Sequence, residues 1–186
     1  MKLILIDGGP AQGKNTLGTL LVENFRKQGN KTILMDLDSY VEEINPSWIW
    51  KYKRLEENDQ LKARENFAKD INKYLQENYI IFIIGERFLT KKDVVVFCSR
   101  LKITYPVYLY HLSIPISLQK ERLHNRGPHS LIDIEKDQKE RDEIKIWPGY
   151  VYQNINSPEI DAKNLMKLIQ IGQGIIEITN YQQNRF

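Results

Sequence analysis

The residues best placed to do chemistry are Gly8-Gly9-Pro10-Ala11-Gln12-Gly13-Lys14-Asn15-Thr16, between a short apolar run and a segment of helical periodicity. Glycines let backbone N–H groups converge on an anion without side-chain clashes. The start of the following helix adds unpaired N–H groups and a partial positive charge. In such a cradle Gly9, Ala11, Gln12 and Gly13 offer backbone donors and Lys14 reaches the outer phosphates of a nucleotide such as ATP. Asn15 or Thr16 would give an oxygen to Mg2+. The pattern G-x-x-x-x-G-K-[ST] is broken at one position, Asn15, and a glycine-rich turn with a chance lysine is the plain alternative.

A second group is acidic. Asp36 and Asp38 follow an apolar run, and two residues apart in an extended segment they would point the same way. One of them can take a proton from an acceptor hydroxyl while the other helps hold hydrated Mg2+. Capping of a following helix by Asp38 is the structural alternative. Glu86 and Arg87, after another apolar run, are candidate acceptor contacts or simply an ion pair. Arg122 and Arg126 lie four apart on one helix face before Gly127, and Arg141 sits on a charged segment beyond. Positioned positive charge is what phosphoryl transfer needs most.

These groups need a scaffold, and the chain reads as alternating strands and helices. Short apolar runs at 3–6, 31–35, 79–84, 107–112 and 150–153 are expected strands. Helices are expected from the Leu17, Leu20, Leu21 and Phe25 spacing, and over 55–78, 92–101, 115–125, 133–144 and 159–171. Such alternation makes a parallel sheet with helices on both faces. At 186 residues one domain is expected, with a tail over 172–186. The longest apolar run, 79–84, is too short to span a bilayer, and the start of the chain reads as a core strand of a cytoplasmic protein. The excess of Lys plus Arg over Asp plus Glu is 27 − 24 = 3, too small to imply nucleic-acid binding by itself. Cys98 reads as a buried thiol and the histidines, His111, His124 and His129, as structural. Trp48, Trp50, Lys51, Tyr52, Lys53 and Arg54 interleave aromatics with bases, either a flap that stacks a nucleobase or a helix burying its tryptophans.

The loop resembles that of nucleoside-monophosphate kinases, typically Gly-x-Pro-Gly-x-Gly-Lys-Gly-Thr. Gly8, Pro10, Gly13, Lys14 and Thr16 match; Ala11 and Asn15 stand where that family has glycine. Asp36-Leu37-Asp38 resembles the Asp-x-Asp of adenylylsulfate and shikimate kinases, and Glu86-Arg87 with the later Arg122-to-Gly127 stretch resembles phage polynucleotide kinase. This resemblance to P-loop kinases implies a three-layer α/β fold, a five-stranded parallel sheet of order 2-3-1-4-5, and a helical lid over about 126–142. It implies Asp38 as general base, Lys14, Arg122 and Arg126 at the transferred phosphate, and Asp36, Glu86, Arg87 and Arg141 around the acceptor. It places Asn154 beside the adenine, with Asn156 a second candidate for the base; helix capping by Ser157 is the other reading of that turn. It implies a kinase that moves the γ-phosphate of ATP to a hydroxyl or phosphate of a nucleotide or small metabolite, with ATP and Mg2+ as cofactors and a small-molecule or nucleic-acid acceptor. A polynucleotide 5′-hydroxyl kinase and a non-catalytic nucleotide-binding module are the alternatives.

Overall fold

Isoleucine-rich strands with no polar face must be covered on both sides, and the architecture follows from that need. The computed structural model describes residues 1–46, 57–102, 105–126 and 133–178. Strand β1 (Lys2–Asp7) is followed by helix α1 (Lys14–Lys27), β2 (Thr32–Asp36), α2 (Leu37–Ile44) and α3 (Glu57–Gln76). Then come β3 (Ile80–Ile84), α4 (Lys91–Cys98), β4 (Val107–Ser113), α5 (Ile116–Arg126) and α6 (Ile134–Asp142). Strand β5 (Tyr150–Gln153), α7 (Pro158–Gln170) and β6 (Ile175–Ile176) complete the chain.

The parallel strands run in the expected order, β2-β3-β1-β4-β5. Side-chain alternation sorts them into two cores. Leu3, Leu5, Ile81, Ile83, Val107 and Leu109 meet Val41 of α2, Phe67 and Ile71 of α3 and Phe97 of α4. Ile4, Ile6, Phe82, Ile84, Tyr110 and Leu112 meet Leu17, Leu21 and Phe25 of α1 and Leu165 and Ile169 of α7. Cys98 is buried in the first core, and burial pushes its thiol up to about 12.

The sheet has six strands, where five were expected. Along β4, residues 110–113 pair with β5, which leaves the N-terminal part of that edge open. Ile175 and Ile176 close it antiparallel, opposite Tyr108 and Val107. Part of the expected tail is thus a strand; residues 179–186 lie outside the described residues, as do Trp48 to Arg54 and His129. No described helix is long and apolar enough to cross a membrane.

Helix α4 starts at a capping box in which Thr90 and Asp93 bond reciprocally, which sets its start one residue before the expected position. Helix α2 follows β2 without a loop, because Asp36 is both the last strand residue and the N-cap. Phe67 anchors the α2–α3–α4 layer, its ring 4.9 Å from Tyr40 edge-on and 6.4 Å from Phe97. Phe67→Ala should cost about 3–5 kcal/mol of unfolding free energy in urea melts. A loss below about 1 kcal/mol would mean that the helical layer closes over the gap.

Candidate active site

The phosphate loop runs from the end of β1 to the start of α1, and its shape is held by one of its own side chains and by two from elsewhere in the fold. Gln12 folds back to accept the Gly9 N–H at 2.8 Å. Gln119 of α5 donates to the Pro10 carbonyl at 2.8 Å, and Asn154 after β5 donates to the Gln12 carbonyl at the same distance. Gly13 has φ +92, and a methyl there would lie 2.7 Å from Asn154 Nδ2, so only glycine fits. Ala11 takes φ 58, the left-handed geometry that glycine adopts without cost. For an L-residue this costs about 1–2 kcal/mol, which the three stakes on the loop offset. Ala11 therefore serves where the resemblant loops carry glycine.

Gly13 caps α1 with no side-chain bond, so the first amides of the helix stay open to an anion. Lys14 Nζ rests on the Gly8 and Gly9 carbonyls at 2.7 and 3.0 Å. Burial lowers its pKa, while Asp7, Asp38 and Asp36 act to raise it. Beside the loop a cavity of about 310 Å³ is lined by Ala11, Gly13, Thr16, Arg122, Asn154 and Pro158, among others. No described residue forms an ion pair with Arg122. This cavity has the size and setting for a nucleoside.

On the other side of α1, Asp36 Oδ1 accepts the Asp38 N–H at 3.1 Å and Oδ2 accepts from Asn15 Nδ2 at 3.2 Å. The expected extended pair of carboxylates gives way to a strand end and a first helical turn, and Asp36, not Asp38, is the cap. Asp38 is left without a capping bond, on the exposed side of that turn. Crowding by protein and then the Asp36 carboxylate push its carboxyl up to about 6, against the pull of Lys14, with Glu42 and Glu86 adding to the rise. Water reaching this exposed residue screens part of that push. Gly85 (φ +82) lets the end of β3 press against the Asp36 carboxylate and the Leu37 amide.

Of the expected metal set, Asn15 and Asp36 stand together, whereas Thr16 lines the cavity beside the loop. An amide and a carboxylate fit Mg2+, which keeps most of its water and needs few protein oxygens. Among the described residues no group of three or more His, Cys, Asp or Glu forms a ready cage, and Mg2+ does not require one.

Arg141, expected to meet the acceptor, is turned inward instead. It is buried, with Nη1 and Nη2 at 3.0 and 3.2 Å from the Asp7 oxygens and Nε 2.9 Å from Asp137 Oδ2. Burial would lower its pKa; Asp7 and Asp137 hold it above the ordinary value. Asp7 is also buried, yet His111 and Arg141 keep its carboxyl well below the carboxylate range. His111 completes the chain, with Nδ1 3.0 Å from Asp7 Oδ2 and Nε2 2.6 Å from the Pro148 carbonyl. Arg87 reaches Asp137 and Glu140, each at 2.8 Å, and Glu86 takes both prongs of Arg64 at 3.0 and 2.7 Å. So α6, half of the expected lid, is docked beneath the loop. The side chain of Arg126 lies outside the described residues.

Sequence reading missed Asp7, Gln119, Asp137 and Arg64. Asp137 and Arg141 are four apart on α6, a legible pair; nothing in the chain order brings either to Asp7. At the last turn, Ser157 makes no side-chain cap; Asp161 accepts the Asn156 backbone N–H at 2.9 Å and the Tyr152 hydroxyl at 2.7 Å. Asn156 Nδ2 also donates to Asp161.

Asp7→Asn leaves the buried Arg141 guanidinium with Asp137 as its remaining carboxylate partner among the described residues and should cost about 3 kcal/mol in urea unfolding. Adding Arg141→Met to Asp7→Asn should recover part of that loss, since no unpaired charge remains. An equal loss in the single and double variants would contradict this account.

No protein-family model matches the chain, and no curated protein sequence is recognisably similar. Its shape does have solved counterparts. An unliganded sugar kinase from Janibacter sp. HTCC2649 superposes with a TM-score of 0.64 at 15% identity, over 92% of this chain and 96% of that one. The APS kinase of Mycobacterium tuberculosis, in complex with AMPPNP and APS, gives 0.61 at 10% identity, over 91% and 97%. A shikimate kinase from Acinetobacter baumannii, in complex with shikimate, gives 0.59 at 19% identity, over 91% and 93%. The chain has the P-loop kinase fold.

Proposed function

We propose that this chain is an ATP-dependent phosphotransferase that moves the γ-phosphate to an acceptor hydroxyl. The observation that carries this reading is the convergence of three groups at the carboxyl edge of the sheet. These are the open N-terminus of α1, Lys14 beside it, and Asp38 within electrostatic reach of Lys14. The ATP analogue held by the APS kinase of the same fold supports a nucleoside triphosphate as donor.

The α1 amides and Lys14 grip the phosphates, and Lys14 exchanges its two loop carbonyls for phosphate oxygens. The cavity beside Ala11 and Asn154 takes the nucleoside, with Arg122 at its wall. Asn15 and Asp36 would hold Mg2+, which when bound would supply positive charge against the phosphates. Asp38 accepts the acceptor's hydroxyl proton as the new O–P bond forms and the bond from the γ-phosphorus to the β–γ bridging oxygen breaks, releasing ADP. With a carboxyl near 6 it is a stronger base than an ordinary aspartate and is still mostly ionised at pH 7. Arg122 and Arg126 add positive charge as the phosphate moves.

The test is ATP consumption with Mg2+ by the full chain, screened against pools of alcohols, sugars, nucleosides, nucleotides and a 5′-hydroxyl oligonucleotide. Stimulation by one pool is expected, with loss of about 10²-fold or more in Lys14→Ala and in Asp38→Asn. Nucleotide binding with no turnover in any pool would overturn the kinase reading in favour of a binding module. Stimulation by the oligonucleotide alone would move it to a polynucleotide kinase. The rate should rise with pH through about 6 as Asp38 loses its proton. The stability term has the opposite sign. A carboxyl raised above its unfolded value of 3.8 stabilises the fold below that value, and this is lost as pH rises through about 6. Asp38→Asn should therefore melt higher than the parent at pH 7 relative to pH 4, and the reverse ordering would contradict the assignment.

A further inference from the structure

The two sides of the loop treat positive charge differently. On the nucleoside side, Lys14 bonds only to carbonyl oxygens, and Arg122 has no carboxylate partner among the described residues. Both cations are available to an anion.

Among the described residues, Arg64, Arg87 and Arg141, held on Glu86, Asp137 and Asp7 at this end of the sheet, are already neutralised. Arg64 presents both prongs to Glu86 at 3.0 and 2.7 Å, the two-pronged geometry a phosphate or carboxylate ligand would otherwise use. Arg87 is held by Asp137 and by Glu140, each at 2.8 Å. Arg141 is buried on Asp7 and Asp137. Asp36, Glu42 and Glu86 meanwhile all act on Asp38 with negative charge. Gly85, next to Glu86, packs directly on the Asp36 carboxylate, so these groups belong to one surface.

We infer that the acceptor carries no anionic group: it is a neutral or amine-bearing alcohol, bound beside Asp38 where the arginines are already paired with carboxylates. This rests on the kinase reading above and narrows it. An anionic acceptor would have to displace Glu86 from Arg64, or Asp137 and Glu140 from Arg87, and then sit beside the remaining carboxylates. Like charges brought together in this way are disfavoured and select against the wrong partner. A neutral polyol instead finds acceptors for its hydroxyl protons in Asp38 and Glu86, and an amine finds a complementary field.

The experiment uses the full chain with MgATP and matched acceptor pairs: a hexose and its phosphate, a nucleoside and its 5′-monophosphate, an alcohol and the corresponding hydroxy acid, with an aminocyclitol as the amine probe. Within the pair that is turned over, kcat/KM should favour the member without the anion by about tenfold or more. Glu86→Gln, which releases Arg64, should lower KM for the anionic member by about fivefold or more and narrow that gap. Glu140→Gln, at a half-exposed position that removes one of the two partners of Arg87, should act in the same direction and guards against misfolding of the first variant. Turnover that favours the anionic member, or variants that widen the gap, would overturn the inference and leave the kinase standing. ATP binding without turnover of any member would overturn the inference and the kinase reading together.

Discussion

Beneath the phosphate loop, Arg141 and Asp7 face each other almost out of reach of water, with side-chain exposures of 7% and 2%. A lone charge in that place would be strongly destabilising, so both residues keep polar partners on every side. Their pairing recruits neighbours. Asp7 also accepts the Gly8 N–H at 2.7 Å and faces His111, while Asp137 joins Arg141 to Arg87. A single connected set of charges thus ties β1, β4, α6 and the end of β3 together at the one edge of the sheet where ligands of this architecture bind. The glycine backbone above it depends on the same contacts: Gly9 lies so close to Asp137 and Gln119 that a methyl on it would sit 2.6 and 2.9 Å from them.

This arrangement explains how a loop that departs from its closest patterns can keep its shape. Ala11 is held left-handed by a frame of Gln12, Gln119 and Asn154 bonds, and Asn15 uses its amide to join α1 to the Asp36 cap. Local sequence strain is stabilised by distant parts of the chain. Asp38 follows the same logic. The β2–α2 junction leaves it beside Asp36 with no capping duty, and crowding by protein, with the neighbouring carboxylate adding to it, raises its basicity.

Much of the architecture was legible because it depends on periodicity. The isoleucine runs of β1 and β3, the loop glycines and the proline that opens α7 act locally, and the strand order came with the resemblance those residues carry. What stayed hidden was decided by contacts between distant segments. Strand β6 exists because β5 leaves part of the β4 edge open, which no local signal at Ile175 reveals. Arg141 looks like a surface arginine in a charged helix until Asp7, 134 residues away, is brought to it. At Ser157 the cap rule named the right place and the wrong acceptor, since Asp161 one turn later accepts the N–H of Asn156.

The central claim is that Lys14 and the start of α1 form a phosphate site with its nucleoside in the cavity beside Ala11 and Asn154. The most direct measurement is a crystal structure of the full chain with a non-hydrolysable ATP analogue and Mg2+. Lys14 should be lifted from the Gly8 and Gly9 carbonyls onto phosphate oxygens, with the nucleoside in the cavity beside Ala11 and Asn154 and Arg141 still on Asp7. An analogue seated instead in the polar cavity lined by His111, Gln138 and Trp147, with Lys14 unmoved, would contradict it.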